Sequence, residues 1–196
     1  YRSAAAHNVV LVDDMEPQRA TLPYQSRISQ HPSYLLTAKF PEMVVAHGLS
    51  RRKDYSGFEN FHLMRTVIFV RGLFWIIRDF VTGSGWHKIS TFWKCYPSDV
   101  KVDNSTMIAS ISNSKGLSFQ IIPIGCTESM NCEVTKGVRR PTRGWSSING
   151  EDVPSPLIEY TLDAKLPKTL FWGLFPADKR RRFPDKIKLT DLSDGK

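Results

Sequence analysis

Apolar residues in this chain recur in short runs with the period of β-strands. Residues 9–12, Val9-Val10-Leu11-Val12, form a β-branched run that stops at Asp13-Asp14. A second run covers residues 34–40, and a third covers residues 43–47 after Pro41. Residues 66–70 lead into a turn signal at Arg71-Gly72, and residues 73–77 then run on to Asp79. Together these last two read as a hairpin that is apolar nearly throughout, as in strands covered on both faces. The pattern therefore predicts a central pair of strands, with Phe69, Trp75 and Ile77 buried. Gly83-Ser84-Gly85 breaks the pattern and reads as a hairpin tip before an aromatic run over residues 86–96. Residues 100–102, 106–112 and 117–122 are three more strands, with turns at Asn104 and Ser114-Lys115-Gly116. In the last of them Leu117, Phe119 and Ile121 share one face, and Phe119 is placed in the core. Residues 158–162 and 169–174 complete the set. No amphipathic helix of three turns is visible, and strand signals recur at roughly 8–12 residues. The fold class is all-β, in the form of a large two-sheet antiparallel β-sandwich.

Two stretches lack a period. Residues 17–32 hold three prolines, and residues 135–156 carry Arg139, Arg140 and Arg143 among Gly and Pro. Both read as long exposed loops. The last 19 residues, 178–196, hold seven Lys or Arg against four Asp, and read as a basic extension of a domain over residues 1–177. The whole chain has 196 residues and a net charge of +8, which points to an acidic partner. The longest apolar run, residues 67–77, is broken by Arg71 and is too short for a membrane-spanning helix. The chain opens at Tyr1 with no initiator Met and no signal peptide, and reads as a piece of something longer.

Candidate chemistry is sparse. Five histidines, His7, His31, His47, His62 and His87, show no spacing that would pair them on a helix or a strand face. His7-Asn8 stands just before the first strand and Asp13-Asp14 just after it. An extended run between them holds the two ends roughly 15–20 Å apart, too far to share an ion. Arg65 and Asp79 meet across the hairpin if it turns at Arg71-Gly72. They form either a cross-strand ion pair or a site for an anionic ligand. Cys126 and Cys132 are six residues apart, compatible with a small disulfide loop or with two thiols; Cys95 stands apart. No Gly-x-Ser-x-Gly, no Cys-x-x-Cys and no glycine-rich phosphate loop is present. Lys179-Arg180-Arg181-Arg182 has one aromatic neighbour and no nucleic-acid module around it, so neither nucleic acid nor membrane is expected as a partner.

Several segments, in order, resemble the heparinase II/III-like polysaccharide lyases. These are Tyr1-Arg2-Ser3 running to His7-Asn8 and Asp13, then Ala46-His47-Gly48-Leu49. Met64-Arg65-Thr66 with Phe74-Trp75-Ile76-Ile77-Arg78-Asp79 follows. Gly144-Trp145-Ser146-Ser147 with Val153-Pro154-Ser155-Pro156 comes next, and then the stretch from Pro167 to Pro176. The resemblance covers about residues 1–177 and implies the C-terminal β-sandwich that packs against an upstream α/α-toroid. It implies β-elimination on a uronic-acid polysaccharide of heparan sulfate or alginate type, in a periplasmic or extracellular setting. The family's catalytic Tyr and His lie in segments without a counterpart here, so no catalytic residue is expected in this chain. Of the family's metal ligands only His7 carries over, as part of a site for zinc or a similar divalent ion in the complete enzyme. No tightly bound metal is expected here, because one imidazole cannot hold a zinc ion that takes about four ligands. Leu63 stands where the family has a His, and His62 falls one residue off, on the opposite face of the strand. The other reading is a noncatalytic, acidic-carbohydrate-binding sandwich that uses exposed Trp and Arg.

Overall fold

A computed structural model describes residues 6–15, 34–52, 61–125, 127 and 129–177. Fourteen strands run in chain order: β1 (Val10–Val12), β2 (Tyr34–Lys39), β3 (Met43–Arg52), β4 (Phe61–Val70), β5 (Phe74–Lys94), β6 (Asp99–Asp103) and β7 (Ile108–Ser112). They continue with β8 (Ser118–Ile124), β9 (Asn131–Thr135), β10 (Val138–Arg139), β11 (Thr142–Arg143), β12 (Trp145–Ile148), β13 (Glu151–Pro154) and β14 (Leu157–Ala177). No α-helix occurs among the described residues. Ten strands join one antiparallel sheet in the order β2-β3-β4-β5-β14-β8-β7-β6, with β1 added to β5 and β9 to β14. The pairs β10–β11 and β12–β13 are separate ribbons.

The sandwich arises because this one sheet doubles over. β5 and β14 are each 21 residues long and pair with each other on both sides of a bulge. The early half of β5 also pairs with β4, and the late half with β1. The late half of β14 pairs with β8, and its early half with β9. Between the halves the register slips: Gly85 faces Leu166, whereas Val81 faces Lys168. Gly83 and Gly85 take φ of 130° and 91° there, backbone shapes that glycine adopts without a side-chain clash. The strands bend and the two halves face each other. Trp172 meets Tyr160 at 4.9 Å and Trp93 at 5.6 Å between ring centroids, and each pair joins the two layers. Tyr160 Oη donates to Met107 O at 3.0 Å across the same gap. Trp172, Tyr160, Ile89, Ile158, Leu170 and Val81 are fully buried between the layers.

The all-β sandwich agrees with the strand pattern, and the β4–β5 hairpin sits inside the sheet as expected. Several details differ. Gly83-Ser84-Gly85 is a bend within one strand and not a hairpin tip, because the glycines keep the ladder going past the slip. For the same reason residues 158–162 and 169–174 belong to the single strand β14. Finally, Ile77 is buried, but Phe69, Trp75 and Phe119 are half-buried. These three rings lie on the inner face and stack in sequence, at 4.9 Å and then 6.4 Å. They sit toward one end of the eight-strand layer, beyond the cover of the shorter layer made by β1, β9 and the bent halves of β5 and β14. The residues between them on the other face, such as Thr66, Ile68 and Ile76, are half-buried too, so β4 is not sealed on both sides. Residues 135–156 are not a loop but mostly the two small ribbons.

The turn into the second ribbon tolerates no side chain. Gly144 is buried at φ 73°, and a Cβ there would stand 2.6 Å from Thr135 O and 2.7 Å from Lys136 Cα. Gly116 has a similar φ of 76° but open space around it. Gly144→Ala is expected to cost about 2–4 kcal/mol, against about 1 kcal/mol for Gly116→Ala, because only the first adds a backbone clash to the torsional strain. Urea unfolding of the two variants beside wild type measures the difference; equal losses would show that the ribbon can shift.

Candidate functional site

β1 is short but fully buried, and it separates two polar clusters. Its partners are Val10↔Thr91, Leu11↔Ser90 and Val12↔Ile89. At its start the Asn8 carbonyl accepts from Arg65 Nη1 at 2.6 Å, and Asn8 Oδ1 accepts from Lys94 N at 2.6 Å. Arg65 spends its other nitrogens on Asp79: Nε to Oδ1 at 2.6 Å and Nη2 to Oδ2 at 2.9 Å. Its guanidinium also lies 5.6 Å from the centre of the Trp93 ring. Asp79 has no solvent exposure. The register Arg65↔Asp79 is the one expected from a turn at Arg71-Gly72, and the ion-pair reading holds. Each of the three guanidinium nitrogens has a partner within the chain, which favours the ion pair over a site for an anionic ligand.

His7 precedes this anchored residue and is exposed. It lies at the rim of the sandwich, just before β1. The other described histidines stand elsewhere: His47 on β3 binds Thr66 Oγ1 at 2.7 Å, His62 on β4 donates its backbone N–H to Thr82, and His87 lies on β5. His31 falls outside the described residues. Among the described residues no three His, Cys, Asp or Glu side chains gather as a metal site requires. Cys126 also lies outside them, whereas Cys95 and Cys132 are free thiols, both pushed up to about 11 mainly by burial.

At the far end of β1, Asp13 and Asp14 turn the chain with φ of 51° and 54°. Asp13 Oδ1 accepts from Lys88 N at 3.0 Å, Asp13 Oδ2 lies 2.7 Å from His87 Nδ1, and Asp14 Oδ2 pairs with Lys88 Nζ at 2.9 Å. His87 Nε2 faces Ser84 O at 3.0 Å. With an acceptor on each side, the ring fits best as an imidazolium, and its pKa is raised by the hydrogen bond to Asp13 first and by Ser84 second. The two clusters occupy opposite ends of β1, as the sequence spacing required.

Sequence spacing did not reveal a third group. Lys94 Nζ donates to Ser155 O at 3.3 Å and also to Ser155 Oγ, which contacts Ser146 Oγ at 2.6 Å. Burial lowers the Lys94 pKa. Ser155 is fully buried, so this chain of contacts ties the β12–β13 ribbon to β5 and offers no accessible nucleophile. Beside it opens a mostly apolar cavity of about 430 Å³, bordered by Asn8, Trp93, Lys94, Tyr96, Phe119 and Leu174. These residues are scattered from position 8 to 174, and no local motif marks them.

Solved structures with the same architecture identify the fold. Heparan sulfate lyase HepC from Pedobacter heparinus matches 92% of this chain with a TM-score of 0.70 at 12% sequence identity. A heparinase III, the BT4657 gene product, matches 91% with a TM-score of 0.65 at 15% identity. Another heparinase III structure matches 89% with a TM-score of 0.63 at 13% identity. The chain has the fold of one part of a heparinase III. It spans about a quarter of each of these larger chains: 25% of the first two and 24% of the third. No protein-family model and no curated relative matches the sequence. The heparinase-type sandwich suggested by the ordered sequence segments is thus present as a fold, with the Arg65–Asp79 hairpin at its centre.

Two outcomes test the clusters. Arg65→Ala leaves the Asp79 carboxylate buried and unpaired, and should cost about 3–5 kcal/mol in urea unfolding. The double replacement Arg65→Met with Asp79→Leu should cost less than Arg65→Ala; a larger loss would mean that the ion pair itself stabilises the fold. The His87 cluster predicts a pH effect. A histidine whose folded pKa is raised contributes all of its stabilisation below its unfolded value of about 6.5. It loses that contribution as pH rises through the folded value. Wild type should therefore lose stability relative to His87→Gln as pH rises from 6 toward 8, and parallel curves would contradict the pairing with Asp13.

Proposed function

We propose that the chain is the C-terminal sandwich domain of a polysaccharide lyase that acts by β-elimination on uronic-acid polysaccharide of heparan sulfate or alginate type. The observation that carries this reading is the match of nearly the whole chain to a quarter of three heparinase-type structures, two of them heparinase III and one a heparan sulfate lyase. In such a reaction a base removes the proton at C5 of the uronate, the C4–O bond breaks, and an unsaturated sugar remains. The carboxylate dianion that forms must be neutralised, and acid–base side chains move the proton. Within this chain Asp13 and His87 are engaged with each other, Arg65 is engaged with Asp79, and Ser155 is buried. These residues form no acid–base pair facing an open site, and the reading assigns proton transfer to an upstream α/α-toroid. The sandwich supplies a rigid wall, with His7 held at its rim through Asn8. The substrate class goes with a periplasmic or extracellular location.

The resemblance implies a divalent metal held in part by His7. The donors present do not suffice: His7 is exposed, and no group of three ligating side chains forms among the described residues. No step is therefore drawn through a metal. A noncatalytic carbohydrate-binding sandwich is the second reading, favoured by exposed arginines on the β10–β11 ribbon.

The test follows the absorbance of the unsaturated product. The 196-residue chain should show no turnover of heparan sulfate or alginate, since loss of proton-transfer groups typically costs about 10²–10⁴-fold or more. In the longer protein, His7→Ala should lower activity, while it changes the stability of the 196-residue chain by less than about 1 kcal/mol. Robust turnover by the 196-residue chain would place the active site within it and overturn the assignment.

A further inference from the structure

We propose that the end of the sandwich carrying Arg139, Arg140 and Tyr96 is a recognition surface for acidic polysaccharide, separate from any catalytic group. The inference rests on the lyase reading for the class of polymer and goes beyond it in naming where the polymer is held.

The basic residues of this region divide into two kinds. Arg143 is neutralised by Glu159 at 2.8 Å, and Lys136 lies 3.5 Å from Asp99 and donates to Ser98 O at 2.8 Å. These charges hold the ribbons in place. Arg139 and Arg140 are exposed at the tip of the β10–β11 ribbon, and neither has an acidic partner among the described residues. Arg139 nonetheless makes contacts within the ribbons. Its guanidinium lies 5.7 Å from the centre of the Trp145 ring, Trp145 Nε1 donates to Val138 O at 2.8 Å, and Thr142 Oγ1 donates to Arg139 O at 3.0 Å. A cation stacked on an aromatic face keeps its edge N–H groups free for an anion and loses less freedom on binding. The forked guanidinium suits the two-oxygen edge of a carboxylate or a sulfate.

Bonds beneath this end link the ribbon to Asn8, the residue after His7. Gly137 N and Ser155 N both donate to Gly144 O, Ser155 receives Lys94 Nζ, and Lys94 N is held by Asn8. Tyr96, two residues after Lys94, is 70% exposed, and the Lys136 bond to Ser98 ties its loop to the ribbon. An exposed tyrosine ring in a loop tied to the ribbon can take the apolar C–H face of a pyranose. The overall charge of +8 draws a polyanion to such a face.

The experiment titrates the 196-residue chain with heparan sulfate and, separately, with alginate by calorimetry. Wild type should bind at least one of them; both would indicate the carboxylate as the recognised group, and heparan sulfate without alginate the sulfate. The variant R139Q/R140Q, checked for an unchanged circular dichroism spectrum, should bind about tenfold or more weakly, with a flatter salt dependence. Lys115→Gln, on the turn between β7 and β8, should match wild type. The proposal is overturned if R139Q/R140Q binds like wild type, if wild type binds neither polymer, or if a DNA duplex binds as tightly as the polysaccharides. No catalysis is read in this titration, so its failure leaves the lyase reading to the product assay.

Discussion

β5 and β14 bond to each other from Leu157↔Lys94 to Leu174↔Trp75, and every other strand of the large sheet attaches to one of them directly or through a neighbour. A sheet this long cannot stay flat and bury its apolar face. The slip at Leu166–Lys168, opposite two glycines with positive φ, lets it fold so that the face covers itself. Both layers are thus made from the same two strands, and the aromatic contacts of Trp172 with Tyr160 and Trp93 close the fold. This arrangement also explains why polar groups collect at the ends of β1. β1 is three residues long, so its flanking turns lie at the two rims of the shorter layer.

The Arg65–Asp79 pair shows how a buried charge can be tolerated at a rim. Asp79 is sealed, but both its oxygens receive a guanidinium N–H, and the third arm of Arg65 reaches the Asn8 carbonyl. The pair therefore fixes a backbone position far away in the chain as well as a strand register. His7 inherits that position without touching the pair. Three of the five guanidinium N–H groups of Arg65 are spent in this way, one on each nitrogen.

The fold was legible where local rules act locally. Arg71-Gly72 set the hairpin register, so Arg65 could be matched with Asp79 from spacing alone. The alternation of apolar residues identified the strands, and the length of the run between His7 and Asp13 already separated the two polar clusters. What spacing could not show was continuity and cover. Glycines that end a strand in one context bend it in another, and the choice depended on β14, far downstream. Phe69, Trp75 and Phe119 face inward as expected, but the layer above them is shorter than the one they belong to. The Lys94–Ser155 link and the adjoining cavity join residues that no motif connects. The ordered segments that resemble heparinases located the fold, although overall identity to the matching structures is 12–15%.

The pairing of β5 with β14 also bears on how the chain acquires its structure during synthesis. β2 to β5 form a meander in which each strand pairs with the next in sequence, and it can assemble as soon as β5 has emerged. β14 bonds to residues roughly 60 to 100 positions earlier, so its arrival is the late event. Until then Val67, Ile77 and Val81 line an inner face with nothing over it. An apolar side and an open β5 edge are the features that invite pairing with other chains. The seam that makes the finished sandwich is the last to close, and the time before it closes is when the molecule is most exposed to aggregation.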